Sequence, residues 1–126
     1  MFDPKEFISL ARGFSEPGRS EADYRTAISR SLYGIFLWAR EELDQRGQHV
    51  KTGESNEHSK VRQCFKEGPY RHSSTSQRLG GLYDLRYKSD YTLDVVVRYE
   101  DLVQALEYVD YLENVFKTYH FAKPPA

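Results

Sequence analysis

Apolar side chains recur at spacings of three and four along almost the whole chain, and that rhythm constrains the fold to helices. The longest case reads Tyr24, Ile28, Leu32, Ile35, Phe36, Ala39, Leu43. At 3.6 residues per turn these positions form one wide buried face. Leu102, Ala105, Leu106, Val109, Leu112, Phe116 and Tyr119 repeat the pattern near the other end. Convincing period-two alternation is absent. Tyr91 to Val97 is β-branched enough to suggest a strand. It is short and has no partner strand, so it reads as a loop or a distorted helix end.

Punctuation between these faces sets the elements. Pro4 suits a first turn, and Phe7, Ile8, Leu10 and Ala11 give a short helix to about Arg12 its apolar side. The stretch Gly13 to Gly18, with Pro17, breaks it. Ser20 reads as an N-cap, with Glu21 and Asp23 in the first turn of a long helix. That helix ends near Gln45 or Arg46, with Gly47 as the stop. Gly34 inside it lowers helix propensity and predicts the close approach of a neighbouring helix. A third helix begins at Ser55, carries Val61, Cys64 and Phe65, and ends at Gly68-Pro69. Arg71 to Ser76 reads as a Ser/Thr-rich loop running into a fourth helix from about Thr75 to Asp90, with Leu79, Leu82 and Leu85 inward. Gly80-Gly81 predicts a kink or tight packing there. The last helix opens at Arg98 or Tyr99 and reaches about His120. The expected architecture is all-α: an up-and-down four-helix bundle with a short extra N-terminal helix. It forms a single domain over 1–121, followed by a tail at 122–126.

Composition narrows the class. A chain of 126 residues is one domain and buries a core without staples. One cysteine, Cys64, excludes an internal disulfide framework; flanked by Val61 and Phe65, it reads as a structural thiol. No apolar run approaches the length a membrane helix needs, and Met1 to Ala11 lacks a secretory pattern. A cytoplasmic protein is expected, with no membrane partner. The net charge of −1 hides an asymmetry. Between His58 and Lys88, seven Lys/Arg stand against Glu67 and Asp84; between Ser89 and Phe121, seven Asp/Glu stand against Arg98 and Lys117. Complementary faces of two helices account for this. A local basic surface for phosphates is the alternative.

Two short segments carry polar chemistry on apolar patterns: Ser29-Arg30-Ser31-Leu32-Tyr33 and Leu85-Arg86-Tyr87-Lys88-Ser89-Asp90-Tyr91. An arginine near a bundle core is costly unless something anionic meets it. Asp90 lies four residues after Arg86, within pairing reach on a helix. The pair is either a structural lock between helices or part of a polar pocket for phosphate or RNA.

These same segments resemble a known family. Tyr24 to Phe36, with Ser29-Arg30 followed by Tyr33, Gly34 and Phe36, resembles the second-helix signature of HEPN domains (higher eukaryote and prokaryote nucleotide-binding domains). His58, Val61 and Phe65 resemble the family's next helix. Leu82, Leu85, Arg86, Asp90 and Tyr91 match its L-x-x-L-R-x-x-x-D-Y segment. The similarity spans roughly residues 5 to 120 and is greatest to small prokaryotic members. It implies a helical bundle, usually a homodimer. Members are either ribonucleases of toxin–antitoxin, CRISPR and phage-defence systems, or non-catalytic modules accompanying a minimal nucleotidyltransferase. The ribonucleases carry an arginine, four to six intervening residues, then a histidine. Such a pair steadies phosphorane charge and moves a proton near neutral pH.

This chain departs from that pattern. Its histidines are His49, His58, His72 and His120, and no preceding arginine gives the spacing. Leu37 stands where many members carry a histidine. The expectation is therefore a non-catalytic, dimeric HEPN-like module. It would bind nucleotide, RNA or a protein partner, such as a nucleotidyltransferase-type antitoxin. Arg30, Arg86 and Asp90 would organise its site, with Tyr33, His58 and Tyr91 at the margin. The alternative is a divergent, metal-independent ribonuclease using His58 as acid/base and Arg62 or Arg86 as phosphate clamp. No cofactor or metal is expected. Glu54, Glu57 and His58 cluster as helix-start residues do, and neither a P-loop nor a Glu-x-x-His pair is present. Tyr99, Tyr108, Tyr111 and Tyr119 suit a dimer interface, or stacking on bases.

Overall fold

A computed structural model describes residues 1–51, 53 and 56–118. They form five helices: α1 (Lys5–Arg12), α2 (Glu21–Asp44), α3 (Glu57–Glu67), α4 (Ser73–Tyr91) and α5 (Tyr99–Thr118). No strand occurs among the described residues. The expected helix start at Ser55, the end of the last helix at Tyr119 and His120, and the tail at 122–126 lie outside the described residues.

Local chemistry fixes the helix ends. Ser20 is extended, and its Oγ accepts the Asp23 N–H at 3.1 Å. This satisfies one of the first-turn donors left over by the helix, and Glu21 and Asp23 favour its positive end. At the other end the chain turns through Gly47 at φ +80°, a left-handed conformation open to glycine without strain. Helix α4 starts at Ser73, two residues before the expected Thr75, so most of the expected Arg71–Ser76 loop is helix. The reason is a cap that Ser/Thr-rich composition disguised. His72 Nδ1 accepts the Thr75 N–H at 3.3 Å and lies 2.7 Å from Thr75 Oγ1.

Helix α2 is the central element and packs against α1, α4 and α5. Helix α3 packs mainly on α4, and α4 in turn on α5. The fully buried core includes Ile8 of α1, Ile28, Leu32 and Ile35 of α2, Val61 and Phe65 of α3, Leu82 of α4, and Leu102, Val109 and Leu112 of α5. Each such side chain contributes about 1.5–3 kcal/mol by leaving water. Gly34 faces α1 as its sequence position predicts. A Cβ there would stand 2.7 Å from Ile8 Cγ1 and 2.9 Å from the Pro4 carbonyl oxygen. Gly81 does the same for α5, since a Cβ would meet the Tyr108 ring at 3.0–3.2 Å.

The acidic face of α5 is met twice. Arg12 of α1 binds Asp110 at 2.7 Å and Glu113 at 3.0 Å, and Lys88 of α4 reaches Asp101 at 3.3 Å. The α5 tyrosines expected at an interface are engaged inside the chain. Tyr99 packs near Tyr24, Tyr108 covers Gly81, and Tyr111 lies under the Arg78 guanidinium at 3.7 Å. Tyr119 lies outside the described residues. Cys64 is half-buried, and burial pushes its thiol pKa up, as befits a structural thiol.

Candidate functional site

One end of α3 leans on the middle of α2 and of α4, and there the polar residues singled out above converge. His58, the second residue of α3, stacks on Phe36 of α2 with ring centres 3.8 Å apart and planes 19° from parallel. Tyr33 stands edge-on to it at 6.3 Å, and Tyr83 of α4 lies at 5.5 Å. Around this aromatic nest stand guanidiniums. Arg62, one turn beyond His58, lies over Tyr83 at 5.1 Å. Arg86 of α4 lies over Tyr33 at 5.4 Å. Arg40 of α2 approaches Phe36 at 5.7 Å.

These neighbours set the protonation of His58. Burial comes first, disfavouring the charged ring; the cations Arg86, Arg62 and Arg40 add to it, against an opposing pull from Glu57. Together they bring its pKa from 6.5 to about 4. His58 is therefore a neutral ring at physiological pH, able to donate one hydrogen bond and accept another.

Two carboxylates offset the cluster in part. Arg40 Nη1 pairs with Glu57 Oε1 at 3.1 Å, and the other Glu57 oxygen accepts the Gly53 N–H at 2.8 Å. Burial pushes the Glu57 pKa up, but these bonds outweigh it and hold it below the usual carboxylate range. Arg86 and Asp90 do come together on one face of α4. Arg86 Nε lies 2.9 Å from Asp90 Oδ2, with side chains 13% and 26% exposed. Both partners also reach across to α2. Arg86 Nη2 donates to the Tyr33 hydroxyl at 3.3 Å, and the Ser29 hydroxyl donates to Asp90 Oδ2 at 3.2 Å. The couple thus ties α4 to α2 and borders the His58 nest.

The pairing is incomplete in a specific way. Arg86 Nε is close to Asp90 but not aligned for a hydrogen bond with it or with any other of the described residues. Arg40 Nε and Arg62 Nε are likewise buried and without a hydrogen-bond acceptor among the described residues. Arg30 and Arg62 have no carboxylate partner among the described residues. Arg30 instead packs its guanidinium over Phe7 at 5.3 Å and Tyr33 at 4.8 Å. Among the described residues, four guanidiniums therefore face two carboxylates.

Beneath His58 and Arg62, the gap bounded by Leu32, Phe36, Val61, Leu79 and Tyr83 holds about 10 Å³. That is room for a single water, so any ligand lies on this face rather than inside it. Tyr91 sits at the rim, 59% exposed, with its ring 5.1 Å from Tyr87 and 5.5 Å from the Arg86 guanidinium. Among the described residues no group of three His, Cys, Asp or Glu side chains is placed to hold a metal ion.

The structure thus gathers Arg30, Tyr33, His58, Arg62, Arg86 and Asp90 on one face. Phe36, Arg40 and Tyr83 join them without having been singled out. Phe36 reads in sequence as one more core position, and Arg40 follows it by four, so its place on the site face was readable from that spacing. No protein-family model, curated protein or solved structure matches the chain. No helix of the described residues is long and apolar enough to cross a membrane.

Proposed function

We propose that this chain is a non-catalytic, HEPN-like binding module whose α2–α3–α4 face takes a phosphate-bearing ligand such as a nucleotide or an RNA. The observation that carries this reading is the gathering of four guanidiniums, Arg30, Arg40, Arg62 and Arg86, around aromatic rings, against two carboxylates, Glu57 and Asp90, among the described residues. A guanidinium held near a helical core without a carboxylate partner is costly until something anionic meets it. Phosphate oxygens are the acceptors that guanidiniums match best, through forked, charge-assisted bonds. The neutral His58 ring adds a donor beside them without adding a charge.

A second reading keeps the same residues in other roles. Arg62 and Arg86 flank His58 closely enough to act on its charge, the juxtaposition a metal-independent ribonuclease needs for a phosphate clamp beside a proton carrier. A pKa of about 4 makes His58 a weak base at neutral pH, which favours binding over cleavage. The homodimer, the nucleotidyltransferase-type partner and the toxin–antitoxin or defence setting rest on the family resemblance alone.

Calorimetric titration with inorganic phosphate and with a nucleoside monophosphate tests the binding reading. Wild-type protein is expected to bind both, and Arg62→Gln to weaken both by roughly tenfold or more, one lost charged hydrogen bond. Absence of binding by folded wild-type protein overturns it. Incubation with total RNA at several pH values tests the alternative: cleavage abolished by His58→Ala would establish the ribonuclease.

A further inference from the structure

We infer that this face holds a second anion subsite at Arg30, so that its ligand is a chain of at least two phosphates rather than a single one. The inference rests on the reading of the face as a phosphate site and extends it from His58 across Tyr33 to α1.

The cations gathered on the Tyr33 ring carry the argument. Tyr33 has the Arg30 guanidinium at 4.8 Å and the Arg86 guanidinium at 5.4 Å from the same ring centre. Arg86 also donates to the Tyr33 hydroxyl. Two like charges gathered on one aromatic ring repel each other, and the ring's quadrupole offsets only part of that repulsion. Asp90 is the single carboxylate paired at this end among the described residues, and it is already engaged by Arg86 and Ser29. Arg30 has no carboxylate among the described residues. Its guanidinium rests between Phe7 and Tyr33, which fix the plane of the group without using its hydrogen-bond donors.

Continuing past Arg86, Arg62 is the third cation of the series, again without a carboxylate among the described residues and again held against a tyrosine, Tyr83. Arg30, Arg86 and Arg62 therefore form a track of three aromatic-seated guanidiniums opposed by one carboxylate. One phosphate at Arg62 and Arg86 leaves Arg30 unanswered. A linear oligophosphate, whose anionic groups repeat along a chain, answers all three. The chain is either free or the phosphate end of a nucleotide; Tyr87 and Tyr91, exposed and tilted against each other near Arg86, would separate the two by contact with a base.

Calorimetric titration of the full chain with inorganic phosphate, inorganic tripolyphosphate and a nucleoside triphosphate at fixed ionic strength tests this. Tripolyphosphate is expected to bind at least roughly tenfold tighter than phosphate, the value of one added charge-assisted interaction. Arg30→Gln removes that preference, lowering tripolyphosphate affinity far more than phosphate affinity, whereas Arg30→Lys, which keeps the charge, retains most of it. Arg78→Gln removes an equal charge at the Tyr111 contact, away from the track, and leaves the preference intact. Circular dichroism confirms that each variant is folded. A nucleoside triphosphate tighter than tripolyphosphate assigns the chain to a nucleotide; equal affinities assign it to a free chain, and either supports the subsite. Phosphate binding with no preference for the longer chain overturns the subsite alone. A preference that Arg30→Gln spares, or that Arg78→Gln lowers equally, does the same. No binding of any of the three ligands overturns the phosphate site together with its extension.

Discussion

Arg25 Nη2 donates to the Val95 carbonyl at 2.6 Å, joining the second turn of α2 to the loop after α4. The same guanidinium reaches Thr92 O at 3.1 Å, Ser89 O at 2.9 Å and Lys88 O at 3.3 Å, while its Nε pairs with Glu21 at 2.7 Å. One side chain thus meets the Ser89 and Thr92 carbonyls at the end of α4 and the Val95 carbonyl beyond it, and shares Lys88 O with the Thr92 N–H. It also explains why three consecutive valines make no strand: Val95 is held by its carbonyl, and Val97 is buried at 1% exposure.

Arg25→Ala is therefore expected to destabilise the fold by about 2–3 kcal/mol, since charged bonds vanish and the carbonyls lose their donor. Arg25→Lys recovers only part of this, because an ammonium lacks the forked geometry. Urea unfolding, compared at constant slope, measures both.

The charge state of His58 makes stability depend on pH. Its folded pKa of about 4 lies below the unfolded value of 6.5, so the unfolded chain binds the proton more readily. The sign follows: His58 contributes nothing adverse above about pH 6.5, and stability declines as pH falls from there through about 4. The groups facing it are Arg62 and Glu57 on its own helix, Arg40 and Tyr33 on α2, and Arg86 and Tyr83 on α4. His58→Gln is expected to flatten this part of the profile relative to wild type. Nuclear magnetic resonance titration of the ring gives the pKa itself, and phosphate at saturation is expected to raise it by countering Arg62 and Arg86.

Asp90 plays two opposed parts, and a single substitution separates them. Asp90→Asn keeps an acceptor for the Ser29 hydroxyl but removes the negative charge 2.9 Å from Arg86 Nε. Phosphate affinity is expected to rise roughly three- to tenfold as a competitor for the guanidinium disappears. Folding stability is expected to fall by about 0.5–1 kcal/mol, the range for a partly exposed pair. Calorimetry and urea unfolding on the same variant read both, and a drop in affinity would show that Asp90 binds ligand rather than excludes it.

Much of this arrangement was legible in the sequence, for physical reasons. The spacing of Tyr24 through Leu43 names the buried face of α2 because a helix repeats at a fixed angle. Gly34 marks a close approach because only a missing Cβ justifies glycine in the middle of a helix. The segments around Arg30 and Arg86 stand out because cations on apolar stripes need partners, and the structure seats both on Tyr33. What stayed hidden depends on contacts between distant residues. Arg25 follows Glu21 by four and looks like an ordinary surface pair, although its donors serve α4. Tyr108 and Tyr111 look free for an interface until Gly81 and Arg78 are seen beneath and above them. His72 as a cap escapes notice because histidine rarely leads at that position.

The missing Cβ of Gly34 reaches further than the packing of two helices. By letting α1 sit flush on α2, it delivers Phe7 to the guanidinium of Arg30. The N-terminal helix is thereby a wall of the proposed anion track, and its seating is coupled to that cation through Phe7. A methyl group inserted at position 34 would act as a wedge, loosening the grip on Arg30 from a distance while Arg62 and His58 stay as they are.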